Sequence, residues 1–114
     1  LSEASERDPA AVRSRLEELT SKFIARTGDD LAQMRAALAR LDDAQGAGDD
    51  SALAQIQQLA HRACGTGGTL GLHALSDAAG ELERLVEACP AGAVPDAGLR
   101  AEITARIDAI ATHL

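Results

Sequence analysis

Apolar residues in this chain recur every three or four positions and almost never alternate, so each segment can bury one face only by forming a helix. Val12, Leu16, Leu19 and Phe23 form the first row, and Gly28 closes it. Leu31, Met34, Leu38 and Leu41 form the second, and Leu53, Ile56, Ala60 and Ala63 the third. Leu72, Leu75, Ala79, Leu82 and Val86 make the fourth; Leu99, Ile103, Ile107, Ile110 and Leu114 make the last. Composition agrees with this period. Alanine and leucine, both strong helix formers, supply much of the apolar content, and Phe23 is the single aromatic residue.

Start and stop signals separate the rows. Asp8-Pro9 pairs an N-cap residue with proline at the first helical position. Asp29 or Asp30 can cap the second segment, which ends at Gly46-Ala47-Gly48. Asp49, Asp50 and Ser51 can cap the third, Cys89-Pro90-Ala91-Gly92 breaks the fourth, and Pro95-Asp96 opens the last. Each segment carries a charged face opposite its stripe, and short turns favour antiparallel neighbours. The expected fold is all-α. The last four helices form an antiparallel up-down four-helix bundle, with an additional N-terminal helix leaning on its end. Residues 1–7 read as a flexible tail and residues 8–114 as one domain. No apolar face is left spare on this reading, so a monomer is expected.

Charge narrows the partners. The formal net charge is −7 with one aromatic residue, which opposes nucleic-acid binding through basic and stacking groups. The longest apolar run, Ala36 to Ala39, falls far short of the ~20 residues of a membrane span. No membrane contact is therefore expected. Cys64 and Cys89 do not make a disulfide framework, which suits reduced thiols and a cytoplasmic location. Residue 1 is Leu, which points to a piece of a longer chain or a processed start.

Residues 61–71 break the pattern: His61-Arg62-Ala63-Cys64-Gly65-Thr66-Gly67-Gly68-Thr69-Leu70-Gly71. A glycine inside a helix costs about 1 kcal/mol relative to alanine, so four of them in an alanine-rich chain need a reason. At 100° per residue His61 lies roughly 120° from the centre of its helix's apolar stripe, toward solvent. Gly65 and Gly68 follow on the same strip, leaving bare backbone beside the imidazole for a partner to approach. Gly67 falls on the inward stripe, where it permits close helix packing. An early helix end with an incidental surface histidine is the bland alternative.

His61, Gly65 and Gly71, with Leu70 and Leu72 around the last glycine, resemble the signature of histidine phosphotransfer (HPt) domains. That signature is His-x-x-Lys-Gly, five residues, then Gly. The flanking stretches from Leu53 to Ala60 and from Leu72 to Glu83 are also similar to the family's helices around the site. The chain departs at Cys64, where the family has lysine, and Arg62 is an imperfect substitute because it points about 100° away.

The resemblance implies a phosphorelay carrier, not an enzyme: His61 exchanges a phosphoryl group with the aspartate of a response-regulator receiver domain. It implies that the partner brings the Mg²⁺ and that this domain binds no cofactor or metal. Imidazole suits the role, since a free histidine has a pKa of about 6.5 and a nucleophilic neutral form. The resemblance places a carboxylate or amide at Glu83 to orient the imidazole. Gln57 and Gln58, one turn before His61, are candidates for phosphoryl oxygens; Arg62, Cys64, Gly65 and Gly68 are candidates for partner access. Gly67 and Gly71 are structural. A hybrid sensor kinase, membrane-bound or not, is the expected parent chain.

Two rivals remain. His61 and Cys64 share a helix, with His73 and Cys89 elsewhere, so a metal site is conceivable. If the third and fourth helices form a hairpin, however, Cys64 pairs in height with about Ser76. Cys89 then lies roughly 15–20 Å away along the bundle, which opposes both a shared metal and a disulfide. The second rival is a docking module of the same fold that has lost its chemistry, which the missing lysine favours. His73 and His113 read as ordinary surface residues.

Overall fold

The computed structural model describes residues 8–43, 50–90 and 95–114. Four helices lie within them: α1 (Pro9–Asp43), α2 (Asp50–Thr69), α3 (His73–Glu87) and α4 (Ala97–Thr112). No strand occurs among the described residues. The helices pack in a closed ring, α1 on α2, α2 on α3, α3 on α4 and α4 on α1. Cross-helix bonds fix the directions. Ser76, Glu83 and Glu87 of α3 meet Cys64, His61 and Gln57 of α2, so numbers rise on one helix as they fall on the other. Arg40 to Gln55 and Asp30 to Arg62 show the same for α1 and α2. The fold is the expected all-α antiparallel bundle.

Its core is the set of stripes read from the sequence. Met34, Ile56, Leu82, Ile103, Ile107 and Ile110 are fully buried, with Leu31, Leu41, Leu53, Ala60, Ala63, Leu75, Ala79 and Val86 around them. Each large side chain removed from water contributes roughly 1.5–3 kcal/mol. The caps are in place as well. Asp8 accepts from the Ala10 amide ahead of Pro9, and Asp96 accepts from the Leu99 amide at 2.7 Å.

The first helix departs from expectation. Gly28 does not end it; α1 runs 35 residues without a break, so the two predicted N-terminal segments are one helix and no separate N-terminal helix leans on the bundle. Gly28 is exposed with no neighbour near it, so its cost is the bare helix propensity of about 1 kcal/mol. That cost is offset next door. Asp30, expected as a cap, is buried and accepts a 2.7 Å bond from Arg62 on α2, while Leu31 and Met34 enter the core. The expected tail at residues 1–7, the Gly46-Ala47-Gly48 turn, Asp49 and the Ala91-Gly92 break lie outside the described residues.

At about 1.5 Å per residue α1 is about 50 Å long, which accounts for the 62 Å long axis of the molecule. Its N-terminal turns run past the bundle. Phe23 is buried, but Val12, Leu16 and Leu19 are 45%, 51% and 45% exposed, against the expectation that this row faces inward. Leu19 and Phe23 already sit level with Thr66 and Leu70 at the end of α2, so α2 does not extend along the turns of α1 before them. Leu114 is likewise exposed. An apolar face is therefore spare, contrary to the sequence reading. Replacing Val12, Leu16 and Leu19 together by glutamine should shift the urea midpoint little, about 0.5 kcal/mol or less per site. Met34→Ala should cost about 2–5 kcal/mol in the same assay, because Met34 has no exposed surface.

Candidate functional site

The seam between α2 and α3 is set by the turn that joins them. Gly71 has φ +78°, a left-handed conformation that glycine adopts without penalty. The Leu72 amide bonds the Gly67 carbonyl at 2.8 Å and the Gly71 amide bonds the Gly68 carbonyl at 3.1 Å. This 6→1 and 5→2 pair is the Schellman stop, and it turns the chain straight into α3. Gly67 then lets the helices close. A Cβ there would stand 3.3 Å from Leu75 Cδ2 and 3.5 Å from both Ser76 Cβ and the Ser76 amide nitrogen. One turn further, the Ser76 hydroxyl donates to the Cys64 carbonyl at 2.7 Å, the height match expected from the hairpin.

Three residues before Cys64 on α2 and seven after Ser76 on α3, the seam holds His61 and Glu83. The imidazole side chain is 76% exposed while the carboxylate beneath it is 16% exposed. Nδ1 and Glu83 Oε2 are 2.6 Å apart. A carboxylate accepts and does not donate, so the neutral imidazole tautomer that this contact selects has its hydrogen on Nδ1 and its lone pair on Nε2. The sequence expectation for Glu83 thus meets a geometry that can serve it. Gln57, expected nearby, donates to Glu87 at 3.0 Å, and with Gln58 these residues border a shallow recess beside the imidazole.

The glycines divide as the helical wheel predicts. Gly65 is exposed with nothing within 4 Å of a Cβ position, so the backbone past His61 is open. Gly68 is exposed too, but a Cβ there would lie 3.3 Å from the Ser76 hydroxyl. Arg62 is placed otherwise than expected. It turns to α1 and pairs with buried Asp30, so its charge holds two helices together and is not presented at His61.

Sequence reasoning passed over Gly80 and Arg84 on α3. Gly80 is buried, and a Cβ there would be 3.4 Å from Arg84 Nη1 and 3.4 Å from Cys64 Sγ. A glycine after two alanines, four residues ahead of an arginine, was the available signal. Cys64 and Cys89 are both free thiols. Burial pushes the Cys89 thiol up from its ordinary value, which disfavours its thiolate. No group of three or more His, Cys, Asp or Glu side chains able to hold a metal occurs among the described residues. His73 and His113 are exposed at helix ends, as expected. A second cleft, between α1 and α2, is lined by Leu19, Phe23, Ala63 and Leu70 with Lys22, Arg26, Thr66 and the Asp30–Arg62 pair, and His61 is not part of it.

No described helix is long and apolar enough to cross a membrane. A sequence model of the Hpt domain matches residues 18–113, from the exposed part of α1 to the end of α4. No curated protein and no solved structure matches the chain.

Proposed function

Because the chain belongs to the Hpt domain family, whose members transfer phosphoryl groups in two-component signalling, we propose that His61 is its phosphoryl carrier. The group is exchanged with the aspartate of a response-regulator receiver domain. One observation supports this above the others: an exposed imidazole whose inner nitrogen is tied to a half-buried carboxylate at 2.6 Å. His61 Nε2 attacks the phosphorus of the receiver's aspartyl phosphate. The N–P bond forms, the P–O bond to the aspartate breaks, and the carboxylate leaves. The ring gains positive charge as its lone pair is used, and Glu83 stabilises that charge through Nδ1–H. The domain is a carrier and not an enzyme. It binds no cofactor of its own, and the Mg²⁺ that neutralises the phosphoryl oxygens belongs to the receiver.

The test is incubation with a ³²P-labelled receiver domain. An acid-labile, alkali-stable label on this protein supports the reading. No label from a panel of receivers would leave the fold intact and favour a docking module without chemistry. Within the reading, Glu83→Ala should slow transfer roughly 10- to 100-fold, comparable to the loss when a metal-bound histidine loses its orienting carboxylate. Its thermal midpoint should stay near wild type. A folded Glu83→Ala protein that transfers at the wild-type rate removes Glu83 from the mechanism.

A further inference from the structure

A phosphoryl group on His61 would add close to two negative charges to a seam that already holds Glu83 and Glu87. Such a group needs a cation, and the described arginines near α2 and α3 are nearly all engaged. Arg62 pairs with Asp30 at 2.7 Å, and Arg106 pairs with Glu81 at 3.0 Å. Arg35 pairs with Asp108, and Arg40 donates to Gln55. Arg26 has no such partner but borders the α1–α2 cleft, whose lining does not include His61, whereas Arg84 lies on α3 beside Glu83. Arg84 is exposed, directly follows Glu83 in α3, and has neither a hydrogen bond nor an ion pair among the described residues.

The Arg84 side chain does not extend into water. It folds back along α3 over Gly80, with Nη1 and Cys64 Sγ each 3.4 Å from the place a Gly80 Cβ would take. Guanidinium and thiol thus both border the bare backbone of Gly80 at the α2–α3 seam. Cys64 is three residues from His61 on α2, and Arg84 adjoins the residue that bonds His61 on α3. A Cβ at Gly80 would already touch both groups, and the small neutral side chain of Cys64 places no competing charge beside the guanidinium. A lysine at position 64 would compete for the same space and repel it.

We propose that Arg84 forms an oxyanion subsite for the phosphoryl group carried by His61, with Gly80 and Cys64 shaping the space that holds it. This rests on the phosphocarrier reading above. A guanidinium offers parallel N–H donors that match two phosphoryl oxygens, and it stays charged throughout. Charge is spread over the three equatorial oxygens during in-line transfer, so a donor pair aimed at them lowers the barrier. Arg84 gives and takes no proton; the bonds made and broken remain N–P and P–O.

Single-turnover transfer from a ³²P-labelled receiver, with receiver concentration varied, tests the assignment. Arg84→Ala is expected to lower the rate at saturating receiver about 10-fold, with the half-saturating concentration unchanged. Adding Cys64→Lys to that variant is expected to recover most of the loss, because the ammonium enters the vacated gap. Circular dichroism melts confirm that each variant is folded, and the exposed Arg84→Ala change alone is enough for a decision. A wild-type saturating rate for Arg84→Ala overturns the subsite, as does an effect confined to the half-saturating concentration, which would make Arg84 a docking contact. If wild type itself takes no label from any receiver, the phosphocarrier reading fails and the subsite with it.

Discussion

His61→Gln protein should accept no phosphoryl group from a labelled receiver, while melting within a few degrees of wild type. Glutamine has no nucleophilic nitrogen, since its amide lone pair is delocalised, so loss of label should be complete. The fold should tolerate the change because the imidazole side chain is 76% exposed and contributes little to the core. The glutamine amide can also donate to Glu83, which keeps that half-buried carboxylate from losing its partner. Label on the variant at even a tenth of the wild-type level would place the acceptor elsewhere, and acid and alkali stability of the product would then distinguish His73 or His113 from an acyl phosphate.

The largest stability effect at the site should come from Gly67→Val. Gly67 is buried against α3, where even a single Cβ would press on Leu75 Cδ2 at 3.3 Å and on the Ser76 amide nitrogen at 3.5 Å. Leu75 can shift, but the Ser76 backbone is held by its own helix. A branched side chain must therefore force α2 and α3 apart, at a cost of about 2–3 kcal/mol in urea unfolding. The same separation would lengthen the 2.6 Å bond between His61 and Glu83, so transfer should slow as well. Gly65→Ala provides the contrast. It lies two residues away in the same helix with nothing within 4 Å, so it should stabilise the domain by up to about 1 kcal/mol. A Gly67→Val protein as stable as wild type would show that the seam is not closely packed.

These two glycines show how far local pattern carries. Their opposite roles follow from the helical wheel, because the 100° step places position 67 inward and position 65 outward whatever the neighbours are. The same step located the buried rows on α2, α3 and α4, since a face that must leave water is written every three or four residues. Gly71 was legible for a related reason. A left-handed stop requires a residue without Cβ, and its bonds run only to the turn before it.

Gly28 misled because a propensity is local and small. About 1 kcal/mol of helix cost is outweighed once Asp30 finds Arg62 and Leu31 and Met34 find the core, and none of those partners is near in sequence. Val12, Leu16 and Leu19 misled in the opposite sense. Their spacing names a face, but only the length of α2 decides whether another helix reaches it.

The amino-acid sequence by itself determined the helices of the bundle, their inward faces and the exposed histidine, since each depends on contacts within a few residues. Tertiary structure alone decided that α1 is continuous and that Arg62 serves Asp30. It also decided that Arg84 folds back over Gly80, on the Cys64 thiol's side of the seam. Those outcomes depend on where separate helices meet, and the distance between positions 61 and 83 exists only after the bundle has closed.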